Sequence, residues 1–244
     1  MTKTPSSSRR SGAVRAPVPT RGTKRPAPRR RAVKVAGKSS GAAAPSSYHH
    51  GALRDALLAA AERILDRDGV AGLTLRAAAR EAGVSHAAPT HHFGDLAGLV
   101  SELAAIGFRR FGAALTAAAE AEGAAPDRRL DAMGRAYVAF ATAHPGLFTL
   151  MFRGERLDPS RPALKEAMNH AGAALAAAVG ARRSPAASMT PLSRAADTVR
   201  AWALVHGFAV LLLDGRLGHI LSQLPPGASI TDLLGEVLKP PATS

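Results

Sequence analysis

Cysteine is absent from all 244 residues, which excludes disulfide scaffolds, thiol nucleophiles and zinc or iron–sulfur sites built on thiolates. The absence fits a reducing compartment. Aromatic residues are only 4% of the chain although hydrophobic residues reach 46%, so the apolar material is plentiful but small. Long alanine-rich stretches of this kind suit close-packed helices rather than sheets. Long hydrophobic runs are scarce. The longest, Ala201 to Leu213, is interrupted by His206 and falls short of the about 20 residues that a membrane span needs. The N-terminus carries charge with no apolar segment behind it, and Arg9-Arg10 is followed by Ser and Gly, so no signal peptide is read there. A soluble, cytoplasmic protein with no membrane partner is expected. Acidic residues are missing from one region altogether. Residues 1–47 hold 12 Lys or Arg and no Asp or Glu, which leaves 20 basic against 18 acidic residues in 48–244. The formal charge of +14 is therefore a tail on a nearly neutral body.

That tail, 1–47, mixes Ser, Pro, Gly, Ala, Arg and Lys without periodicity, a composition that cannot bury enough apolar area to offset its ordering entropy. It reads as disordered. Its clusters, Lys24-Arg25 and Arg29-Arg30-Arg31, fit either a solubilising tail, or an upstream-start artefact, or a phosphate-binding arm. Enzyme signatures are also lacking: there is no Gly-rich phosphate loop and no Ser-His-Asp arrangement that spacing identifies. No enzyme activity and no cofactor is expected.

What remains is helical punctuation. Leu53, Leu57, Ala60 and Ile64 share one face of a helix over about 51–67, with Gly69 as its stop. Thr74 is placed to cap a short helix over 75–82, Gly83 to turn the chain, and Ser85 to cap a second short helix over 86–92. Asp95 opens a longer helix, 96–119. Further helices are expected at about 127–143, 162–179, 193–213 and 229–238, with Arg182 to Pro191 as a loop. Leu147 to Phe152 is short enough to be helix or strand. The fold class is all-α, with about nine helices.

The stretch 74–93, Thr-Leu-Arg-Ala-Ala-Ala-Arg-Glu-Ala-Gly-Val-Ser-His-Ala-Ala-Pro-Thr-His-His-Phe, has the physics of a helix-turn-helix. Ala78, Ala79 and Ala82 permit a close helix crossing, Val84 plugs the corner, and the start of the following helix is left to face a groove. The adjacent His91 and His92 point about 100° apart on a helix, and no Cys or spaced carboxylate completes a metal site, so none is expected.

Residues 51–99 resemble the N-terminal domain of TetR-family transcriptional regulators: an amphipathic first helix, Thr-Leu-Arg-x-x-Ala-x-x-Ala-Gly-Val-Ser, then His-Phe and a fourth helix. Tyr48-His49-His50-Gly51 and Ser85-His86-Ala87-Ala88-Pro89 resemble a subgroup whose ligand domain carries a Trp-His-Gly signature, here Trp202, His206 and Gly207. The resemblance implies a tail at 1–47, a DNA-binding domain at 48–95 and a helical ligand-binding and dimerisation domain at 96–244. It makes 86–92 the recognition helix. His86 is the base-edge candidate, His91 a groove or phosphate contact, and Ala87 and Ala88 methyl contacts to thymine. Thr74, Ser85, Thr90 and His92 lie near the backbone, with a purely structural histidine as the alternative for His92. Two residues depart from the family. Thr90 stands where a Tyr is usual and Leu96 where a Lys is usual, both of them phosphate contacts, so weaker affinity is expected with the basic tail as compensation.

By the same resemblance the partners are a double-stranded DNA operator, a small-molecule effector and a second copy of the chain. Helices 193–213 and 229–238 would pair across the homodimer. Phe140, Phe148, Met151, Phe152, Trp202 and His206 are the candidate ligand-binding residues, with Trp202 and His206 four apart on one face. The bland alternative makes Trp202 core and ties His206 to backbone, and treats Phe108, Phe111 and Tyr137 as packing. Repression relieved by a mainly apolar effector is the expected outcome. A nonspecific, architectural nucleic-acid-binding protein using the tail is the other reading.

Overall fold

A computed structural model describes residues 47–152, 154–182 and 190–239. Among them are ten α-helices and one 3₁₀ turn: α1 (Ser47–Gly72), α2 (Leu75–Ala82), α3 (Ala88–Phe93), α4 (Leu96–Ala121), α5 (Pro126–Ala143), α6 (Pro145–Phe152), the 3₁₀ turn Gly154–Arg156, α7 (Pro162–Ala181), α8 (Pro191–Leu213), α9 (Gly218–Leu221) and α10 (Ile230–Leu238). No strand occurs among the described residues. The ambiguous 147–152 segment is helical, and α9 is a single turn that apolar periodicity does not reveal. The basic tail, up to Ser46, lies outside the described residues, as does most of the Arg182–Pro191 connection.

Caps account for most boundaries. The Thr74 hydroxyl accepts from the Ala77 amide at 3.0 Å, and Asp95 accepts from the Gly98 amide at 2.7 Å. Ser229 and Asp232 form a reciprocal capping box on α10. Gly69 breaks α1, with φ 68° and ψ −172°. One expected boundary is displaced. Ser85 caps nothing. With Ser85 as cap, Pro89 would fall where its missing N–H forfeits the first helical hydrogen bond, so the helix starts later and Pro89 sits in its first turn. Ser85 instead accepts at its carbonyl from the Ala88 amide, 3.0 Å, closing a turn.

A single apolar core runs the length of the described chain, from Leu57, Ile64 and Leu65 through Phe93, Leu99 and Leu103 to Leu147, Leu150 and Leu164. Each fully buried leucine contributes about 1.5–3 kcal/mol relative to exposure. α4 is its axis: its N-terminal turns pack on α1 and α3, and its remainder on α5, α6 and α7. Ion pairs reinforce the α1–α4 contact, Arg54–Glu102 at 2.7 Å and Arg110–Glu62. Small residues on α4 permit the close approaches that the alanine-rich composition suggests. A Cβ on Gly107 would lie 2.7 Å from the Met151 sulfur, and one on Gly112 would rest 3.6 Å from Ala171.

α8 is covered on one face: Val205, Phe208 and Ala209 are buried, while Val199, Leu204, Val210 and Leu211 are exposed. Starting at Pro191, it is long and apolar enough, by length and composition, to cross a membrane. Its first half nonetheless carries Arg194, Asp197 and Arg200.

Gly98 offers a test of this packing. Alanine at a helical glycine normally stabilises by roughly 0.5–1 kcal/mol. A Cβ here would run into the Phe93 carbonyl and lie 2.5 Å from the Arg161 guanidinium. Gly98→Ala is therefore expected to lower stability by about 1–3 kcal/mol, read as a lower denaturant midpoint.

Candidate nucleic-acid interface and ligand cavity

The α2–turn–α3 unit is anchored from beneath. Ala77, Ala78 and Ala79 bury α2, Pro89 and Phe93 bury α3, and Val84 packs against the same core. Gly83 makes the turn between them at φ 68°, a left-handed conformation costly for any residue with a side chain, and its amide bonds back to the α2 carbonyls. With Pro89 and Phe93 committed inward, the opposite face must point out. Ser85, His86, Ala87, Thr90 and His91 are exposed there, Ala88 and His92 half-buried. The rings of His91 and His92 meet edge-on at 5.4 Å, and His92 lies 6.2 Å from Phe93. Thr74 is exposed at the start of α2, its hydroxyl oxygen engaged in the cap.

Two arginines that sequence reasoning passed over lie on the exposed face of α2. Arg76 and Arg80, one turn apart, form no ion pair among the described residues. Arg63 and Arg67 of α1, by contrast, hold Glu81 at 3.0 and 3.3 Å, and these hydrogen bonds, that from Arg63 foremost, keep its carboxyl below the usual range. Neutralising Glu81 from behind leaves α2 presenting net positive charge. The available signal was the i, i+4 spacing of two arginines opposite a run of buried alanines.

In the body, a cavity of about 430 Å³ opens between α4, α5, α6, α7 and α8. Phe108, Phe111, Tyr137, Met151, Phe152 and Trp202 form its aromatic and thioether wall, and Leu164, Met168 and Leu175 face them from α7. Among the described residues no charged side chain lines it. Its polar atoms are already engaged. The Trp202 indole N–H donates to the Tyr137 oxygen at 3.2 Å, and Tyr137 lies 2.8 Å from His206 Nδ1. Burial raises the Tyr137 phenol well above its ordinary pKa and lowers that of His206, so both stay neutral at pH 7. While accepting from Trp202, the Tyr137 hydroxyl still has its own proton to donate, and a His206 protonated at Nε2 offers Nδ1 to receive it. The Thr198 hydroxyl turns back to the Arg194 carbonyl at 3.0 Å.

Two segments of the chain match known protein families. Residues 57–103 match the model for bacterial regulatory proteins of the tetR family, and residues 130–237 match the tetracyclin repressor-like C-terminal domain. The chain belongs to the TetR family. It is thus a DNA-binding transcriptional regulator, from a family that is not enzymatic. The solved structure of a protein of unknown function from Rhodococcus sp. RHA1 is similar at 36% identity and a TM-score of 0.65, over 80% of this chain and 95% of that one. The fold is shared with the protein SCO4313 (23% identity, TM-score 0.61, 80% of this chain and 97% of that one). It is shared too with HlyIIR, a hemolysin II transcriptional regulator (15% identity, TM-score 0.50, 78% and 96%). Among curated proteins none matches.

Within this TetR-family body the expected ligand residues divide. Met151, Phe152 and Trp202 line the cavity. Phe140, Phe148 and His206 do not. Phe140 packs its ring on Phe111 at 5.2 Å, Phe148 lies 5.7 Å from His206, and His206 sits behind Tyr137. Conversely Phe108, Phe111 and Tyr137, read as packing, face the cavity. Helical spacing says which residues share a face but not whether a neighbouring helix or a void covers it. Of the bland alternative only the local satisfaction of the indole N–H holds: Trp202 is exposed rather than core, and His206 bonds to the Tyr137 side chain rather than to backbone.

Trp202 is the sole tryptophan in the sequence and its ring centre lies 5.9 Å from that of His206. Its emission is expected to fall on acidification as His206 becomes an imidazolium, with a midpoint below 6.5, and His206→Asn should abolish the transition. Because the folded pKa is depressed, the His206 contribution to stability is complete above about pH 6.5 and is lost as the pH falls below it. Wild-type stability should therefore decline more steeply than that of the variant in this range.

Proposed function

We propose that the protein is a ligand-responsive repressor, organised as a tail over 1–47, a DNA-binding domain over 48–95 and a ligand-binding and dimerisation domain over 96–244. It binds a double-stranded operator as a homodimer in the cytoplasm and leaves it when a small, mainly apolar effector fills the cavity. The observation that carries this reading is the pairing of an outward-facing α3 with an open apolar cavity on one shared helix. α4 touches α3 at its start and lines the cavity with Phe108, Phe111 and Leu115, the first of them about 18 Å along the axis from Leu96. An effector that favours one setting of α4 shifts the population of headpiece arrangements. A charged effector would lose its hydration without gaining a partner, so the ligand is uncharged.

On the DNA side, His86 reads a base edge, Ala87 and Ala88 offer methyl contacts to thymine, and His91 reaches groove or phosphate. Thr74, Ser85, Thr90 and His92 contact or position the backbone, joined by Arg76 and Arg80 as phosphate ligands. The missing lysine at Leu96 is thereby offset in part. Two recognition helices about 34–36 Å apart would fit successive major grooves.

The Trp-His-Gly signature gains a division of labour. Trp202 and His206 hold Tyr137 against the cavity, whereas Gly207 faces away: a Cβ there would meet nothing within 4 Å. Val199, Ala203, Gly207 and Val210 follow at helical spacing along the exposed side of α8, and this stripe is the homodimer contact rather than a membrane-facing surface. Gly207→Leu tests it. The substitution should keep or raise helix content, since leucine outranks glycine by under about 1 kcal/mol in helices, while sedimentation shifts from dimer to monomer.

Binding-site selection from random-sequence duplex DNA, using the full chain, tests the regulator reading. A two-fold-symmetric site should emerge with half-sites about 10 base pairs apart or a multiple of that. Recovery of DNA without sequence preference would favour the architectural alternative. On the selected site, His86→Ala should flatten the preference at one position per half-site by roughly 1–3 kcal/mol, with little change on random DNA. Equal weakening on both would remove His86 from base readout.

A further inference from the structure

The segment between the 3₁₀ turn and α7 touches both sites at once. Leu157 and Pro159 form part of the cavity wall. Two residues beyond Pro159, Arg161 reaches into the DNA-binding domain and donates from its guanidinium to the Phe93 carbonyl at 3.1 Å. That carbonyl ends α3, where no further turn of helix supplies a donor and the helix dipole favours a cation. Arg161 thus supplies, from the ligand-binding domain, a cap for the recognition helix. The start of α4 leaves space beside it: a Cβ on Gly98 would run into the Phe93 carbonyl and lie 2.5 Å from the guanidinium.

The segment is also stiff. Asp158 accepts from the Ser160 amide at 3.0 Å and from its hydroxyl at 2.5 Å, and its other oxygen lies 3.5 Å from Arg161 Nε. The Asp158 amide donates to the hydroxyl of Ser101, a fully buried residue of α4, at 2.8 Å. A longer contact, 3.4 Å, joins Arg156 to the Val70 carbonyl beside the break in α1. Pinned at both ends and at its middle, such a turn moves as a unit.

Building on the cavity reading above, we propose that residues 156–161 form a strap that transmits cavity occupancy to the C-terminal end of α3, in parallel with α4, and that Arg161 is its positioning residue. A ligand that presses on Leu157 and Pro159 displaces the turn and with it the guanidinium, so α3 loses or reorients its cap. Arg161 contacts neither ligand nor DNA in this scheme.

The test uses the full chain with N-phenyl-1-naphthylamine, an uncharged fluorescent probe of apolar cavities. Its binding is followed by its own emission and by Trp202, and hydrogen exchange is read on peptides spanning 86–98. In the wild type, saturating probe should change exchange there by about 5-fold or more. Arg161→Met keeps the stem but removes the donors. It should bind the probe with affinity within about two-fold of wild type while most of the exchange response disappears, a separation that simple destabilisation does not produce. Should Arg161→Met fail to fold, Arg161→Lys, which retains the charge without the planar fork, should show a partial response. An undiminished response in a folded variant that binds the probe overturns the strap and leaves the cavity reading intact. Probe binding without any headpiece response in the wild type also overturns it. A wild-type protein that does not bind the probe overturns the cavity reading and the strap together.

Discussion

α4 is buried in different company at its two ends, and that constraint organises the molecule. Its first turns pack beneath α3, and a few turns later it forms a wall of the cavity. A helix transmits displacement along its axis because its hydrogen bonds resist shear, whereas side-chain packing around it has discrete alternatives. The small residues along it, Gly98, Gly107 and Gly112, bring neighbouring backbones close enough that a change at one end has little slack to absorb it. Ion pairs from Arg54 and Arg110 add to its packing against α1.

The cavity's selectivity follows from where its polar atoms spend their hydrogen bonds. Trp202 and Tyr137 turn their polar atoms to one another and to His206 behind them, so the wall these two form behaves as an apolar surface. Tyr137 is the buried, shared member, and removing it leaves the other two without this partner. The same chain of bonds fixes the tilt of the indole. Trp202 is therefore both part of the enclosure and a reporter of it.

Legibility varied with the range of the interaction. Thr74 and Gly83 were readable because a cap and a left-handed turn are contests among adjacent residues, and the winning chemistry is written in the residue types. Ser85 misled because it too is a good cap, and Pro89 overrode it from four residues away. The cavity was harder. Phe108, Phe111 and Tyr137 have the same spacing as any core residue, and what separates them from Phe140 and Phe148 is the path of α7, which no local pattern encodes. Arg161 offered no signal at all in sequence: its partner carbonyl lies 68 positions earlier.

From residues alone came the all-helical class, the helix-turn-helix punctuation, the family resemblance and the segregation of charge into the first 47 positions. Each depends on composition or on contacts within a few turns, where propensity, capping and periodicity act directly. Tertiary structure alone decided which faces of α8 are covered and which stand open, where a void remains among the aromatic rings, and which arginines are spent on Glu81 and which stand exposed. The coverage of α8, the void and the engagement of Glu81 are settled by helices meeting across long stretches of chain, and the packing energy that selects them belongs to the assembled core rather than to any segment of it.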